Sequence, residues 1–136
     1  MKKYLNLALV YAIIAMAFGV FYREYTKLNG FAGQTSLAYM HTHYFVLGVI
    51  IFLIFALLEK SLEFSALKPV RPALITYNIG LNITCFGFLL RGLNQVWNTN
   101  LSAGMDGVTA GIAGIGHALL GISLLVILVQ VKKAYR

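Results

Sequence analysis

Apolar, uncharged residues fill four stretches of the chain, Leu5 to Tyr22, Leu37 to Leu58, Ala73 to Leu90 and Val108 to Val131, and every Lys, Arg, Asp and Glu lies between or beyond them. Each stretch is close to the roughly 20 residues that a helix rising ~1.5 Å per residue needs to cross bilayer hydrocarbon. The alternation of a half-buried strand is absent. Backbone amides inside hydrocarbon must find partners within their own segment, as helices allow. The pattern predicts an all-α integral membrane protein, a four-helix transmembrane bundle of antiparallel up-down topology. It forms one domain, residues 1–136, with helices near 5–22, 37–58, 73–90 and 108–131.

The connections carry ordinary turn chemistry. Asn29-Gly30 and Gly33 punctuate the first, where Thr35 or Ser36 suits a helix cap. The second holds Pro69 and Pro72, and Pro72 suits the first position of the third helix. The third, residues 91–107, is rich in Asn and Gly; Trp97 and Leu101 fit anchors in the outer headgroup layer, and the segment is long enough for a lid. Most tyrosines lie toward segment ends, as in an aromatic belt.

Composition agrees with the pattern. Hydrophobic residues make up 60% and charged residues 11%, against about 45–50% and 25% in soluble domains. The net charge of +7 would suggest nucleic acid in a soluble protein, but here the positions of the charges carry the information, and no nucleic-acid partner is expected. Lys2, Lys3, Lys60, Lys68, Arg71, Lys132, Lys133 and Arg136 occupy the two ends and the second connection; only Arg23, Lys27 and Arg91 lie in the other two. The positive-inside rule then places both termini in the cytoplasm and the protein in the cell membrane as a multi-pass chain. Lys2-Lys3 followed by an apolar run with Ala15-Met16-Ala17 has some features of a signal peptide. The run continues to Tyr22, however, and is expected to stay as a helix. Cys85 has no partner cysteine in the chain.

Candidate chemistry begins with histidine. All three histidines, His41, His43 and His117, fall inside apolar stretches, where an ionisable group is costly and points to function. His43 is expected about 9 Å below the start of its helix and His117 roughly 8 to 14 Å below its own, so both can reach one site at similar depth. Neutral imidazole binds haem iron, copper and zinc, and two on facing helices make the bis-histidine clamp of a bundle cytochrome. His41 and His43 diverge by about 200° around a regular helix, so only one can face such a site. The plain alternative is a set of neutral histidines, each with a hydrogen-bonded neighbour.

Around His117, small residues at 107, 111, 114, 118 and 121 form a stripe. It suits tight helix packing, including a homodimer, and equally leaves room for a planar macrocycle along Gly114 and Gly121. Arg23 and Arg91 are expected at the outer helix ends, where guanidinium groups could meet haem propionates or simply reach the interface. Asn78, Asn82 and Cys85 share one face of the third helix and suit polar contacts between helices, with a quinol or proton path as the weaker reading. Soluble-enzyme motifs are missing, and none of Glu24, Glu59, Glu63 and Asp106 lies within a stretch, so no catalytic residue is assigned.

At Ala38-Tyr39-Met40-His41-Thr42-His43-Tyr44-Phe45-Val46-Leu47-Gly48 and Gly116-His117-Ala118-Leu119-Leu120-Gly121 the chain resembles a family of small four-span bacterial membrane proteins of unknown function. The His-x-His followed by Leu-Gly is also similar to the haem-copper oxidase superfamily, whose histidines on facing helices hold haem and copper. Three histidines and four helices are too few for a complete oxidase centre. The resemblance implies His43 or His41, with His117, as haem ligands.

These readings lead to a small b-type cytochrome-like protein, binding haem b non-covalently between the second and fourth helices for electron transfer or small-gas binding. It reads as a redox or binding protein rather than a stand-alone enzyme, and is expected to be a homodimer in the lipid bilayer, with a quinol or redox partner. The alternatives are a copper or other transition-metal protein using His41, His43 and His117, and a structural or assembly subunit that binds no metal.

Overall fold

The computed structural model describes residues 1–97 and 102–135. They form four helices long and apolar enough to cross a membrane: α1 (Lys2–Leu28), α2 (Leu37–Leu62), α3 (Val70–Val96) and α4 (Ala103–Ala134). No strand occurs among the described residues. Each helix outruns its apolar stretch at one end or both, because a helix that leaves hydrocarbon keeps its backbone bonds while its side chains become polar. Arg23 and Arg91 therefore stand within α1 and α3 rather than at their ends.

The helix boundaries follow from local chemistry. Ser36 precedes α2, but its side chain makes no cap. Thr35 Oγ1 accepts the Leu37 amide at 3.4 Å and donates to the Gly92 carbonyl at 3.0 Å, while the Ser36 amide donates to Gln95 Oε1 at 2.7 Å. These bonds tie the start of α2 to the end of α3. At the other end of α2, Glu63 turns the chain with φ 47° into a short 3-10 helix, Phe64–Ala66. Pro69 precedes α3, so Pro72 sits within its first turn rather than opening it, still at a position whose amide has no helical partner. Ser102 caps α4 by accepting the Met105 amide at 3.4 Å. Trp97 is exposed just beyond α3; Leu101 lies outside the described residues.

The four helices pair into two hairpins. On α1, Tyr4, Tyr11, Phe18 and Tyr25 recur every seven residues with Ala8, Ala15 and Tyr22 between them, the spacing that keeps one seam against a partner helix. That seam packs on α2 through rings: Tyr11 stacks on Tyr44 and on Phe52, both at 5.7 Å between centroids, Phe18 on Tyr44 at 5.8 Å, and Tyr4 on Phe52 at 6.3 Å. Tyr4, Tyr11, Tyr44 and Tyr77 are buried core residues, not members of the interfacial belt expected of them. For Tyr11, Tyr44 and Tyr77 the reason is an amphipathic ring whose hydroxyl finds a partner inside the bundle, so that the ring no longer needs the interface.

The hairpin of α3 and α4 uses almost no side-chain bulk. A Cβ placed on Gly80 would stand 2.7 Å from the Leu120 amide, one on Gly87 2.8 Å from the Ala113 amide, and one on Gly116 2.5 Å from the Thr84 amide. Backbone meets backbone along this line, as small residues permit in membrane helices. The stripe singled out from the sequence does not pack against another helix of this chain among the described residues. Added Cβ atoms at Gly107, Gly111, Gly114 and Gly121 would meet nothing within 4 Å.

One irregularity lies in α2. Residues Tyr44–Ile50 are π-helical, between α-helical Leu37–His43 and Ile51–Leu62. The Ile51 amide still reaches back to the Val46 carbonyl. A ladder returning from there to regular α bonding skips the Leu47 carbonyl. Tyr77 of α3 supplies the missing donor, its hydroxyl 2.8 Å from Leu47 O. Gly48, in the same segment, lets α1 approach: a Cβ there would lie 2.7 Å from Tyr11 Cβ.

Candidate histidine site

His43 is the last residue before the π segment, and His117 lies near the middle of α4. Their rings come together with centroids 5.7 Å apart and planes at 86°. Phe88 of α3 lies against both, 4.8 Å from His43 and 5.7 Å from His117, and Tyr39 packs on Phe88 at 5.8 Å. Here α3 runs between α2 and α4, so the two imidazoles face each other across a cleft floored by Phe88. His43 is half-buried and His117 exposed. The cleft therefore opens on the outer surface of the bundle rather than on its axis. An open cavity of 270 Å³ adjoins His43, lined also by Thr42, Val46 and Leu47.

Both rings are oriented in the same way. His43 Nδ1 lies 2.9 Å from the Tyr39 carbonyl and His117 Nδ1 2.9 Å from the Ala113 carbonyl. A carbonyl can only accept, so each Nδ1 carries the proton and donates, which in a neutral imidazole leaves the lone pair on Nε2. A backbone carbonyl holding the far nitrogen is the usual support of a metal-binding histidine. Two imidazoles sharing one ion through bonds of about 2.0–2.1 Å hold their nitrogens roughly 3.4 to 4.2 Å apart. In such a pair the ring centroids lie somewhat farther apart than the nitrogens, so a centroid separation of 5.7 Å is of the right order for two imidazoles that share an ion.

The other expected residues fall out differently. His41 points to the opposite side of α2, toward α1, where a Cβ on Gly19 would be 3.8 Å from its Cβ; its Nδ1 is buried and has no hydrogen-bond partner among the described residues. The divergence of about 200° expected within one helix thus separates the two histidines, the π segment beginning only after them. No group of three or more His, Cys, Asp or Glu able to hold a metal occurs among the described residues. Gly114 and Gly121 lie one turn to either side of His117 and leave open space there. Arg91 is one turn beyond Phe88 on α3 and pairs with Asp106 at 3.6 Å. Arg23 pairs with its neighbour Glu24 at 3.8 Å, on the helix that His41 faces.

Behind the histidine cleft a polar cluster joins three helices. Tyr11 donates to Asn78 Oδ1 at 2.6 Å, Tyr44 to Asn82 Oδ1 at 3.1 Å, and Asn82 Nδ2 to the Tyr11 hydroxyl at 3.3 Å. The polar contacts expected of Asn78 and Asn82 are present. Cys85 is buried beside them as a free thiol. Sequence reasoning missed Phe88, Tyr11 and Tyr44. The seven-residue recurrence on α1 was the signal for Tyr11; nothing local marks Phe88 as the floor of the cleft.

A bundle of four helices with membrane-crossing proportions, with two imidazoles brought together on its outer surface, defines a class of small apolar helical proteins with a paired-imidazole site. Within that class the chain belongs to the family described as "Protein of unknown function (DUF2871)", whose model matches residues 1–134. No curated protein and no solved structure matches it.

Proposed function

We propose that this is a small b-type cytochrome-like protein of the cell membrane, with both termini cytoplasmic, in which His43 and His117 hold haem iron through Nε2. The observation that carries the reading is the convergence of two imidazoles whose Nδ1 atoms are both committed to backbone carbonyls. Two candidate ligands with no third among the described residues favour a centre that would bring its own remaining donors, as a porphyrin would. The open side of α4 at Gly114 and Gly121 offers a flat surface beside His117. Bound haem would supply one-electron or small-gas chemistry, and the protein's part is to orient the two imidazoles and shield the iron with Phe88.

The protein should be purified from haem-replete cells and its visible spectrum recorded. A Soret band is expected, lost in His117→Ala and in His43→Ala and kept in His41→Ala. No band after added haem rejects the reading. The second reading is copper held by the same pair, favoured by Phe88 sitting close against both rings and leaving a compact site. Copper without iron in elemental analysis would establish it.

A further inference from the structure

At the end of the bundle that carries both termini, α1 and α3 flank a cavity of 280 Å³ unrelated to the histidines. Its lining divides by chemistry. Leu7, Phe52, Leu74 and Ile75 give an apolar floor, Asn78 lies at the deep end, and Lys3 and Arg71 stand at the rim. No carboxylate lines it among the described residues. Glu59, the acid nearest by connectivity, is occupied by Ser65, whose amide donates to it at 3.1 Å and whose hydroxyl donates as well. Lys3 Nζ lies over the Tyr4 ring at 4.9 Å, and Arg71 has no ion-pair or hydrogen-bond partner among the described residues.

Tyr4 supplies an independent sign of a missing partner. It lines the same cavity and is only 1% exposed, and its hydroxyl, near a Ser65 hydroxyl already given to Glu59, makes no hydrogen bond of good geometry among the described residues. A buried hydroxyl left unpaired is costly, and such groups ordinarily meet protein, water or ligand. Two unneutralised cations, an orphan donor and an apolar trough at a helix-end depth together match one kind of molecule. It has an acidic head with acceptor oxygens and a hydrocarbon chain entering the membrane.

We propose that this cavity binds one anionic phospholipid, its phosphate between Lys3 and Arg71 and the start of its acyl chains on Leu7, Phe52, Leu74 and Ile75. The Tyr4 hydroxyl then donates to the head or glycerol oxygens. A phosphate fits better than a carboxylate because two separate cations and a hydroxyl call for several acceptor oxygens at once. No histidine takes part, so the site stands or falls apart from the haem reading.

The test is native mass spectrometry of the delipidated protein titrated with phosphatidylglycerol and, in parallel, phosphatidylcholine. One phosphatidylglycerol is expected to remain bound under activation that strips phosphatidylcholine. The pair Lys3→Gln/Arg71→Gln should weaken that binding at least about tenfold, whereas Lys3→Arg/Arg71→Lys, which keeps both charges, should retain it. Lys132→Gln/Lys133→Gln removes two cations from the same end without touching the cavity and should leave binding unchanged. Equal retention of the two lipids, or equal loss in the two Gln pairs, overturns the proposal. So does oleate or inorganic phosphate binding in place of the phospholipid.

Discussion

The two hairpins solve the same problem in opposite ways. Lipid tails are as apolar as leucine, so helices inside a bilayer gain little from hiding hydrophobic surface and must be held by fit and by polar contacts. Between α1 and α2 the fit is made by rings, with Tyr4, Tyr11 and Phe18 set against Tyr44, Phe52 and Phe55 and with hydroxyls reaching Asn78 and Asn82. Between α3 and α4 it is made by absence, glycines 80, 87 and 116 letting main chains touch. The difference teaches where each hairpin is brittle. Aromatic packing has rotamers in reserve; a backbone contact has none. The histidine cleft lies where the two meet, His43 coming from the first hairpin and His117 from the second.

The comparison breaks most sharply at Gly116. Its added Cβ would be 2.5 Å from both the amide and the hydroxyl of Thr84, and the amide cannot move without the helix. Gly116→Ala should therefore cost about 1–3 kcal/mol or more, read as a lower unfolding temperature in detergent. Gly114→Ala on the same helix, in open space, should stay within about 0.5 kcal/mol of the parent. A larger loss at Gly114 than at Gly116 would mean that the outer stripe, not the inner one, packs the bundle. A weaker break is Gly48→Ala in the aromatic hairpin. Its Cβ meets Tyr11 Cβ and Cγ at 2.7 Å, atoms of a side chain rather than a helix axis, and a loss of about 1–2 kcal/mol is expected.

Gly114 also sharpens the comparison for the site. A bulky group there, as in Gly114→Leu, should leave the unfolding temperature within a few degrees, because it touches no helix, yet abolish the Soret band by covering the open side of His117. Loss of both together would show that position 114 is structural.

The sequence made the spans and the similar depth of the histidines legible, because charge-free length and helical rise are nearly one-dimensional properties; it left open whether His41 or His43 meets His117, which the rotation of α2 against its neighbours decides. It also separated His41 from His43, since the angle between them depends only on the helix. Which glycines pack was not legible: 114 and 116 are both small, and only the rotation of α4 against α3 decides which one meets Thr84. The tyrosines were misread for a related reason. Tyr11 and Tyr44 are stable at depth only because Asn78 and Asn82 from another helix meet their hydroxyls. The π segment has no signature of its own, because its stability depends on a donor thirty residues away in the chain.

That donor gives the smallest test of the comparison. Tyr77 belongs to the glycine hairpin but serves the aromatic one, its hydroxyl meeting the one carbonyl that the π segment leaves over, Leu47 O at 2.8 Å. Tyr77→Phe keeps the ring contacts with Phe52 and Phe55 and removes only that bond. The expected loss is about 0.5–1.5 kcal/mol, since hydrogen bonds between membrane helices are individually modest. A carbonyl without its donor should also let α2 exchange between π and α ladders, raising hydrogen exchange at the Ile51 and Phe52 amides. Tyr11→Phe should do less, because Asn78 and Asn82 can turn to other partners whereas a main-chain carbonyl cannot. Unchanged exchange at Ile51 and Phe52 in Tyr77→Phe would mean that the π segment is held by ring packing around Gly48 alone, and that the two hairpins are coupled only through van der Waals contact.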